Sequence, residues 1–452
     1  MTSKRTPPCF VYIWLPGELE AVTAGKFELT TDRNGTPLGR FVYGKSYLAR
    51  ADALPFDPVQ LVLSDKVYET TALNGVFGAL RDSSPDYWGR LVIDRHYARA
   101  ESDEMTYLLE SPDDRAGALG FGLGKEPPAP KRKFNRTLDL AKLQEAADLI
   151  IENGKAAGHD AEQLEKLMLL GTSMGGMRPK AVVEDDDALW LAKFNRPTDR
   201  WNNARVERAM LTLARACGIT TAESKLVTVG DRDVLMVKRF DREKIEKGYT
   251  RARMASAITL LRTDDNVLSR GRWSYVLLAE ELRRATADPK ANAHELFRRM
   301  TFNALVSNID DHPRNHAILA KDKDWKLSPA YDLTPATPVS EDRRDLAMAC
   351  GDYGRWANAE NLLSQCLRFA LTRDEAAAII DEMEKVVSAS WYKTLKGEGV
   401  SEADATLLKS AFVYPGFRLA AADRAAAPDD VPPSMGAKPA TKKASNRKRK
   451  AR

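Results

Sequence analysis

The first quarter of the chain alternates short hydrophobic runs with turn-forming residues. Three such runs are bounded by Asn, Asp, Pro or Gly: FVYIWL (10–15), LGRFVYG (38–44) and VQLVLS (59–64). Runs of this kind are typical of short strands joined by turns. The pattern predicts a small, strand-rich mixed domain over residues 1–124, with one amphipathic helix that Ser84 or Asp86 can cap.

Two neighbouring segments show no periodicity. RAGALGFGLG (115–124) is rich in glycine, but it follows no clear strand and opens no helix. Turns and close packing are therefore favoured over a dinucleotide-binding loop. KEPPAPKRKF (125–134) combines three prolines with four basic residues, which is typical of an exposed connector. We therefore place a linker at residues 125–136.

Residues 137–241 are predicted to form a second mixed domain. Helical spacing occurs in 138–153 and again in 161–171, which ends at a glycine. Four further features follow in order: the strands PKAVVED (179–185) and ALWLAKFN (188–195), which can pair as a hairpin, the helix ARVERAMLTLARACG (204–218), and the strand DVLMVKRFDR (233–242). The helix carries Val206, Met210, Leu213 and Cys217 on one face and should end at Gly218.

The C-terminal part has a helical pattern from about 253 to 424, and residues typical of loops and short strands interrupt it between 308 and 338. Residues 425–452 lack aromatic residues and are predicted to be disordered. The formal net charge is +5, but residues 438–452 carry eight Lys/Arg and no acid, so removing them leaves −3. Electrostatic affinity for nucleic acid is therefore expected mainly in this basic tail.

Cysteine usage and hydropathy limit the class of protein. The four cysteines form no CxxC pair, which favours reduced, buried thiols over disulfides or a zinc site. His312 and His316 have a metal-ligand spacing, but Pro313 argues against the helix that would align them. No run of eighteen apolar residues and no secretory signal is evident, so we expect a cytoplasmic protein without membrane contact.

The sharpest chemical signal is NIDDHPRNHAIL (308–319), followed by SPAYDL (328–333). Asp310 and Asn315 are five residues apart and Asp332 follows, the arrangement D-x-x-x-x-N and a second Asp found in protein-kinase sites. Asp310 suits a base for a substrate hydroxyl, and Asn315 and Asp332 suit oxygen ligands for Mg²⁺. Taken alone, the same residues are also common in loops after helices.

The upstream order of elements strengthens a kinase interpretation. Lys193 lies on a predicted strand and Glu207 on the following helix, so they can form the ion pair that protein kinases use to contact phosphates. Each could otherwise be an ordinary surface charge. GTSMGGMRPK (171–180) precedes the strands and can cradle phosphate groups, but it lacks the GxxxxGK[ST] spacing of a Walker loop.

These motifs together resemble those of HipA-family toxin kinases. The resemblance rests on SMGGMRPK (173–180), the Lys193 strand, VKRFDR (237–242), N-x-D-x-H-x-x-N at 308–315 and Tyr331-Asp332, with SPDYWGRLVIDR and DDRAGALGFG in the N-terminal region. Two positions depart from the better-known members: Arg178-Pro179 replaces a polar-acidic pair, and Lys238 stands where Glu is frequent.

The resemblance implies an α+β fold, bilobal and protein-kinase-like, with mixed α/β N-terminal subdomains and an all-α C-terminal lobe. The expected domains are 1–124, the linker 125–136, an N-lobe at 137–241, a helical C-lobe at 242–424 and the tail 425–452. It implies Asp310, Lys193, Asn315 and Asp332 as catalytic residues, Glu207 as the structural ion-pair partner, and Ser173 as an autophosphorylated serine. Implied nucleotide contacts are Gly175, Gly176, Met177, Arg178, Pro179, Lys180, Lys193, Lys238, Arg239, Phe240, His312, Asn315, Tyr331 and Asp332.

The implied activity is ATP- and Mg²⁺-dependent phosphorylation of Ser or Thr in a protein of translation, such as an aminoacyl-tRNA synthetase. The implied partners are a small helix-turn-helix antitoxin and, through it or through the basic tail, DNA. Two alternatives remain open. A small-molecule kinase of the aminoglycoside phosphotransferase type shares the Asp, Asn and second Asp but usually has His before the base. An inactive kinase fold could instead act only as a DNA-bound co-repressor.

Overall fold

The computed structural model describes residues 7–99, 101–129, 134–136, 139–151, 178–185, 188–337 and 340–419. Its strands are β1 Cys9–Trp14, β2 Ala21–Thr31, β3 Pro37–Tyr43, β4 Tyr68–Thr70, β5 Leu119–Gly122, β6 Asn135–Arg136, β7 Lys180–Asp185, β8 Ala188–Phe194, β9 Ser224–Val229, β10 Arg232–Lys238, β11 Arg242–Ile245, β12 Gly248–Arg251, β13 Arg253–Ser256, β14 Ala317–Ala320 and β15 Lys326–Leu327. Its α-helices are α1 Lys45–Leu48, α2 Gly78–Asp82, α3 Tyr87–His96, α4 Glu104–Glu110, α5 Leu140–Ile151, α6 Asn203–Ala216, α7 Ala257–Leu261, α8 Tyr275–Ala285, α9 Pro289–Leu305, α10 Ala359–Ser364, α11 Arg373–Gly397 and α12 Glu402–Leu408. Short 3₁₀ turns occupy Ala72–Gly75, Val267–Arg272, Pro313–Asn315, Cys366–Phe369, Lys409–Ala411 and Pro415–Arg418.

The N-terminal sheet has five antiparallel strands in the order β4-β3-β2-β1-β5. The strands predicted at 10–15 and 38–44 are confirmed as β1 and β3, but β2, the longest strand, was not predicted. The strand predicted at 59–64 is wrong. The buried carboxylate of Asp57 accepts hydrogen bonds from the main-chain amides of Val59, Gln60 and Leu61. These amides are satisfied by a side chain, so the segment remains a loop.

The predicted capped helix and close-packing glycines are both confirmed. Asp86 caps α3, because its carboxylate accepts from the Gly89 amide at 3.1 Å. Gly120 and Gly122 lie on β5 opposite β1, and a Cβ built at either would come within 3.0 Å of the Trp14 or Tyr12 ring. Part of the glycine-rich segment also forms a strand, β5, which the sequence did not predict.

The second sheet has the order β6-β7-β8-β10-β9 and carries α6. β7 and β8 pair as the predicted hairpin, with Asp185 opposite Ala188. Helix α6 buries its predicted apolar face and is followed by Gly218 at φ +75°. Asn202 caps its N-terminus by accepting from the Arg205 amide at 3.2 Å. The hairpin and helix place the Lys193 strand beside the Glu207 helix.

The C-terminal region is helical, with a large core between α6, α8, α9 and α11. Helix α9 begins with Pro289 after the Asp288 cap, and it ends directly before the predicted loop region. Residues 253–256 were expected to open the helical part, but they form β13, which pairs with β14 inside the predicted loop region. The pairing ties the loop to the start of the C-terminal region.

All four cysteines are free and buried, as the sequence predicted. None of the helices in the described ranges combines the length and hydropathy needed to span a bilayer. The helix predicted at 161–171, the loop at 171–177 and the tail 425–452 lie outside the described residues. The predicted domain boundaries remain predictions.

Candidate functional site

Lys193 joins the second sheet to both neighbouring elements. Its ammonium group lies 2.6 Å from Glu207 Oε1 on α6 and 2.9 Å from Asp332 Oδ1. The side chains of Lys193 and Glu207 are 12% and 6% exposed, whereas that of Asp332 is 42% exposed. A lysine held between a buried glutamate and an accessible aspartate can bind an anionic ligand without losing its orientation.

The charges of this group stabilise each other. Burial opposes the charge on Lys193, but Asp332 and Glu207 together raise its pKa above the ordinary value for lysine. Lys193 in turn lowers the pKa of Asp332 to about 2, against the effect of burial. The ammonium and the carboxylate are therefore both charged at neutral pH.

Asp310 lies at the accessible edge of the loop after α9. Asp310 is exposed. Its main-chain carbonyl accepts hydrogen bonds from the His312 amide at 2.9 Å and from Asn315 Nδ2 at 3.4 Å. Desolvation raises the pKa of Asp310, and the negative charges of Asp332 and Asp311 raise it further, while His312 and Arg270 lower it. A raised pKa makes this carboxylate a better proton acceptor.

A buried polar network lies under the loop. The Asp311 carboxylate accepts from the Tyr275 hydroxyl and lies 2.7 Å from His316 Nε2. Asn303 Nδ2 donates to the Tyr275 hydroxyl at 3.3 Å, and Asn308 Nδ2 donates to Asn303 Oδ1 at 3.0 Å. The sequence interpretation gave no role to Asp311 or Tyr275. The second aspartate of the Asp-Asp pair was the available signal for Asp311, while nothing local marked Tyr275.

Tyr331 and Asp332 approach the site from the segment after β15. Asp332 has φ +59°, a left-handed conformation that Asp and Asn tolerate better than most residues. The Tyr331 hydroxyl donates to the Arg314 carbonyl at 2.8 Å, and its ring lies 5.6 Å from that of Phe240. This segment is thereby attached both to the Asp310 loop and to the end of β10.

The described end of the predicted phosphate loop is fixed by two ion pairs. Arg178 binds Asp199 through two hydrogen bonds, of 2.9 and 2.6 Å. Lys180 is buried opposite Lys193 in the β7–β8 ladder and lies 3.4 Å from Asp86. Pro179 precedes it, and its carbonyl accepts from the Phe194 amide. Ser173, Gly175, Gly176 and Met177 lie outside the described residues.

The residues after β10 have different surroundings. We call residues 238–241 the hinge segment. Lys238 is partly exposed and pairs with Glu223 at 2.9 Å. The Arg239 guanidinium is buried against Asp114 and Asp241, away from Lys193, so any nucleotide contact at this position would come from its main chain. Phe240 packs with Tyr331, and in the described part of the chain its main-chain amide and carbonyl have no hydrogen-bond partner.

His312 lies between the Asp310 loop and Trp273, with 6.5 Å between the ring centroids. Its Nδ1 atom is buried and has no partner among the described residues. Thus Lys193 contacts Glu207 and Asp332. Asp310, Asn315 and His312 lie together on the neighbouring loop, where the charges of His312 and Asp332 act on Asp310. The Arg239 guanidinium instead bonds to Asp114 and Asp241.

The chain is similar to several known proteins. Residues 172–391 match the HipA-like C-terminal domain. Y4mE of Sinorhizobium fredii, a protein classed provisionally as a kinase, is 25% identical over 357 residues, covering 75% of this chain and 80% of that protein. The structure is similar to HipA of Shewanella oneidensis, solved as a toxin–antitoxin complex with HipB and operator DNA. That match has a TM-score of 0.61 and 17% identity, and it covers 89% of this chain and 94% of the other.

The fold and the domain match define a protein-kinase-like chain with mixed α/β subdomains and a helical C-terminal lobe. More specifically, residues 172–391 match the HipA-like C-terminal domain, and the fold of the chain is similar to that of the Shewanella HipA.

Proposed function

We propose that this protein is an ATP- and Mg²⁺-dependent kinase that phosphorylates Ser or Thr in a protein substrate. The observation that carries the proposal is the pair of bonds from Lys193 to Glu207 and to Asp332. Protein kinases need a strand lysine positioned by a helix glutamate, and a metal-binding aspartate close to it. Here one ammonium group makes both contacts.

Asn315 and Asp332 fit a magnesium ion. Among the described residues, no hydrogen-bond donor contacts Asn315 Oδ1 or Asp332 Oδ2. Mg²⁺ prefers oxygen ligands and is usually held by one or two protein groups, with water and phosphate completing its shell. In the part of the chain that the structure describes, no cluster of three or more His, Cys, Asp or Glu side chains forms a protein-only metal cage. The free Oδ2 of Asp332, on the carboxylate that bonds to Lys193, suits a metal that arrives with a nucleotide, and Asn315 Oδ1 would be a second ligand.

The residues of the candidate site have separate roles in the proposed reaction. Lys193 orients the phosphates, and Asn315 and Asp332 hold the metal. Asp310 accepts the proton as the substrate hydroxyl oxygen bonds to phosphorus and ADP leaves. Bound Mg²⁺-ATP supplies the transferred phosphoryl group. The accessible position of Asp310 suits a hydroxyl presented by a macromolecule.

We propose further that the protein is the toxin of a toxin–antitoxin pair and that its substrate belongs to translation, with aminoacyl-tRNA synthetases as the first candidates. The proposal is supported by the fold shared with the Shewanella HipA, whose structure includes HipB and operator DNA. A small helix-turn-helix antitoxin would be the corresponding partner here. Ser173 is the proposed site of autophosphorylation.

The test is transfer of labelled phosphate from ATP to cell extract and to purified aminoacyl-tRNA synthetases, with wild type and Asp310→Asn in parallel. We expect labelled phosphoserine or phosphothreonine in protein only with wild type. Label confined to small molecules would indicate an aminoglycoside-phosphotransferase-like enzyme. ATP binding without any transfer would indicate an inactive co-repressor.

A further inference from the structure

The hinge segment is attached to the N-terminal region by a buried ionic cluster. The Arg239 guanidinium bonds to the Asp114 carboxylate, and its Nη2 also donates to the Arg115 carbonyl at 2.8 Å. The side chains of Arg239 and Asp114 are both 1% exposed. Burying two charges so completely is costly unless they are paired, and removing one partner leaves the other charge uncompensated.

Asp241, the residue after Phe240, also bonds to the N-terminal region. Asp241 accepts from Arg239 Nε at 3.0 Å and from Arg242 at 2.8 Å. It also accepts from the main-chain amide of Gly117 at 2.9 Å. Both neighbours of Phe240 are therefore bonded to residues 114–117 of the N-terminal region. The main-chain amide and carbonyl of Phe240 face no partner in the described structure, so they are available to a ligand.

We propose that Asp114 is a positioning residue for nucleotide binding, acting through Arg239 on the main chain of Phe240. The inference rests on the proposed kinase function, because it assumes that the hinge segment contacts the adenine ring. Asp114 itself touches no ligand. Its carboxylate fixes the guanidinium, the guanidinium fixes the backbone on either side of Phe240, and that backbone presents one donor and one acceptor at a set distance from Lys193.

The proposal predicts a difference between two parts of the nucleotide. Adenine would use the hinge segment, whereas the phosphates would use Lys193, which is held independently by Glu207. Asp114→Asn should therefore weaken binding of ATP and of adenosine by the same factor. We expect about tenfold, within the loss that a small misplacement of a binding group produces. Binding of inorganic tripolyphosphate should not change.

The experiment measures dissociation constants of ATP, adenosine and tripolyphosphate for the full chain by calorimetry. Asp57→Asn is the matched control, because Asp57 is also a fully buried carboxylate of the N-terminal region but contacts only its own loop. Circular dichroism identifies a temperature at which every variant is folded, and binding is measured at that temperature. Asp114→Glu, which keeps the charge but displaces the guanidinium, serves if Asp114→Asn does not fold, and it should weaken ATP and adenosine equally.

Equal ATP affinity in wild type and in a folded Asp114 variant would overturn the inference while leaving the kinase proposal intact. Equal weakening in Asp57→Asn, or weakening of tripolyphosphate together with adenosine, would show a general loss of stability and would also overturn it. If wild type binds neither ATP nor adenosine, both the kinase proposal and the inference fail.

Discussion

Asp311 and His316 share a buried hydrogen bond of 2.7 Å directly beneath the loop that carries Asp310. Their side chains are 1% and 3% exposed, and the Tyr275 hydroxyl donates to the same carboxylate. The contact spans the 3₁₀ turn Pro313–Asn315, so it fixes both ends of the turn that holds Asn315, and Asp310 directly precedes the first anchored residue. A loop whose ends are anchored can hold its side chains in constant positions.

Asp311→Asn should therefore lower kcat while leaving the KM for ATP nearly unchanged. The variant keeps the shape of the side chain but loses the charge that two donors share. We expect a loss of about 1 to 3 kcal/mol in the free energy of unfolding. Steady-state kinetics and denaturant titration check this, with Asp57→Asn as a control that should lose stability but retain kcat. A KM change as large as the kcat change would contradict a positioning role.

Asp310→Asn and Asp332→Asn should separate chemistry from nucleotide binding. The first should reduce phosphoryl transfer by about 100- to 10,000-fold, the contribution of a general base, with ATP affinity nearly intact. The second should also weaken Mg²⁺-ATP, since it removes a charged metal ligand. Calorimetry and transfer assays on the same preparations measure both quantities. Near wild-type turnover in Asp310→Asn would mean that another group is the base.

The ion pair of Asp332 should make stability depend on acid pH. Its pKa is lowered to about 2 by Lys193, so the pair stabilises the fold fully above the ordinary pKa of aspartate. That ordinary value is about 3.9, and the stabilisation should fade as pH falls from there towards 2. Asn also tolerates the positive φ at this position, so Asp332→Asn tests mainly the charge. Unfolding curves of the two proteins should differ at pH 7 and converge near pH 2; a constant difference would contradict the linkage.

Ser173 should carry phosphate after incubation with Mg²⁺-ATP, and the modification should inhibit the enzyme. A phosphoserine in the phosphate loop adds negative charge that ATP would repel. Mass spectrometry should find the modification in wild type and not in Asp310→Asn. Ser173→Asp should bind ATP more weakly, with Ser173→Ala as the neutral control. An aspartate variant that binds ATP like wild type would exclude this loop as the switch.

Deleting residues 437–452 should leave kinase activity unchanged but reduce any affinity for DNA. The segment contains eight Lys/Arg, so its loss should reduce the slope of log K against log salt by up to about seven. Binding assays with labelled duplex DNA across a range of salt concentrations measure the slope. An unchanged slope would indicate that the tail makes no contact with DNA.

The sequence predicted the parts of the fold that are encoded locally. The β7–β8 hairpin and helix α6 with Gly218 follow from alternation, periodicity and capping. The prediction of a strand at 59–64 was wrong because the Asp57 carboxylate bonds to the main-chain amides of that segment. A hydrophobic pattern does not reveal such a contact. The convergence of Lys193, Glu207 and Asp332 matches the predicted order of elements.

Contacts between distant segments could not be predicted from the sequence. The sequence predicted Arg239 at the hinge but gave no sign that its guanidinium bonds to Asp114, 125 residues earlier. Tyr275 joins the Asp310 loop from another helix, 36 residues before Asp311. Pairings across such distances depend on how whole subdomains pack, and periodicity carries no information about them.

The link between Asp114 and Arg239 also bears on how the chain is made. At about 5 to 20 residues per second, Arg239 leaves the ribosome roughly 6 to 25 seconds after Asp114. During this interval the Asp114 carboxylate and the Arg115 carbonyl lack their Arg239 partner and remain exposed to water. The Asp114–Arg239 contact therefore forms late, after both residues have emerged, and a ribosome stalled between the two positions would hold a chain that cannot form it.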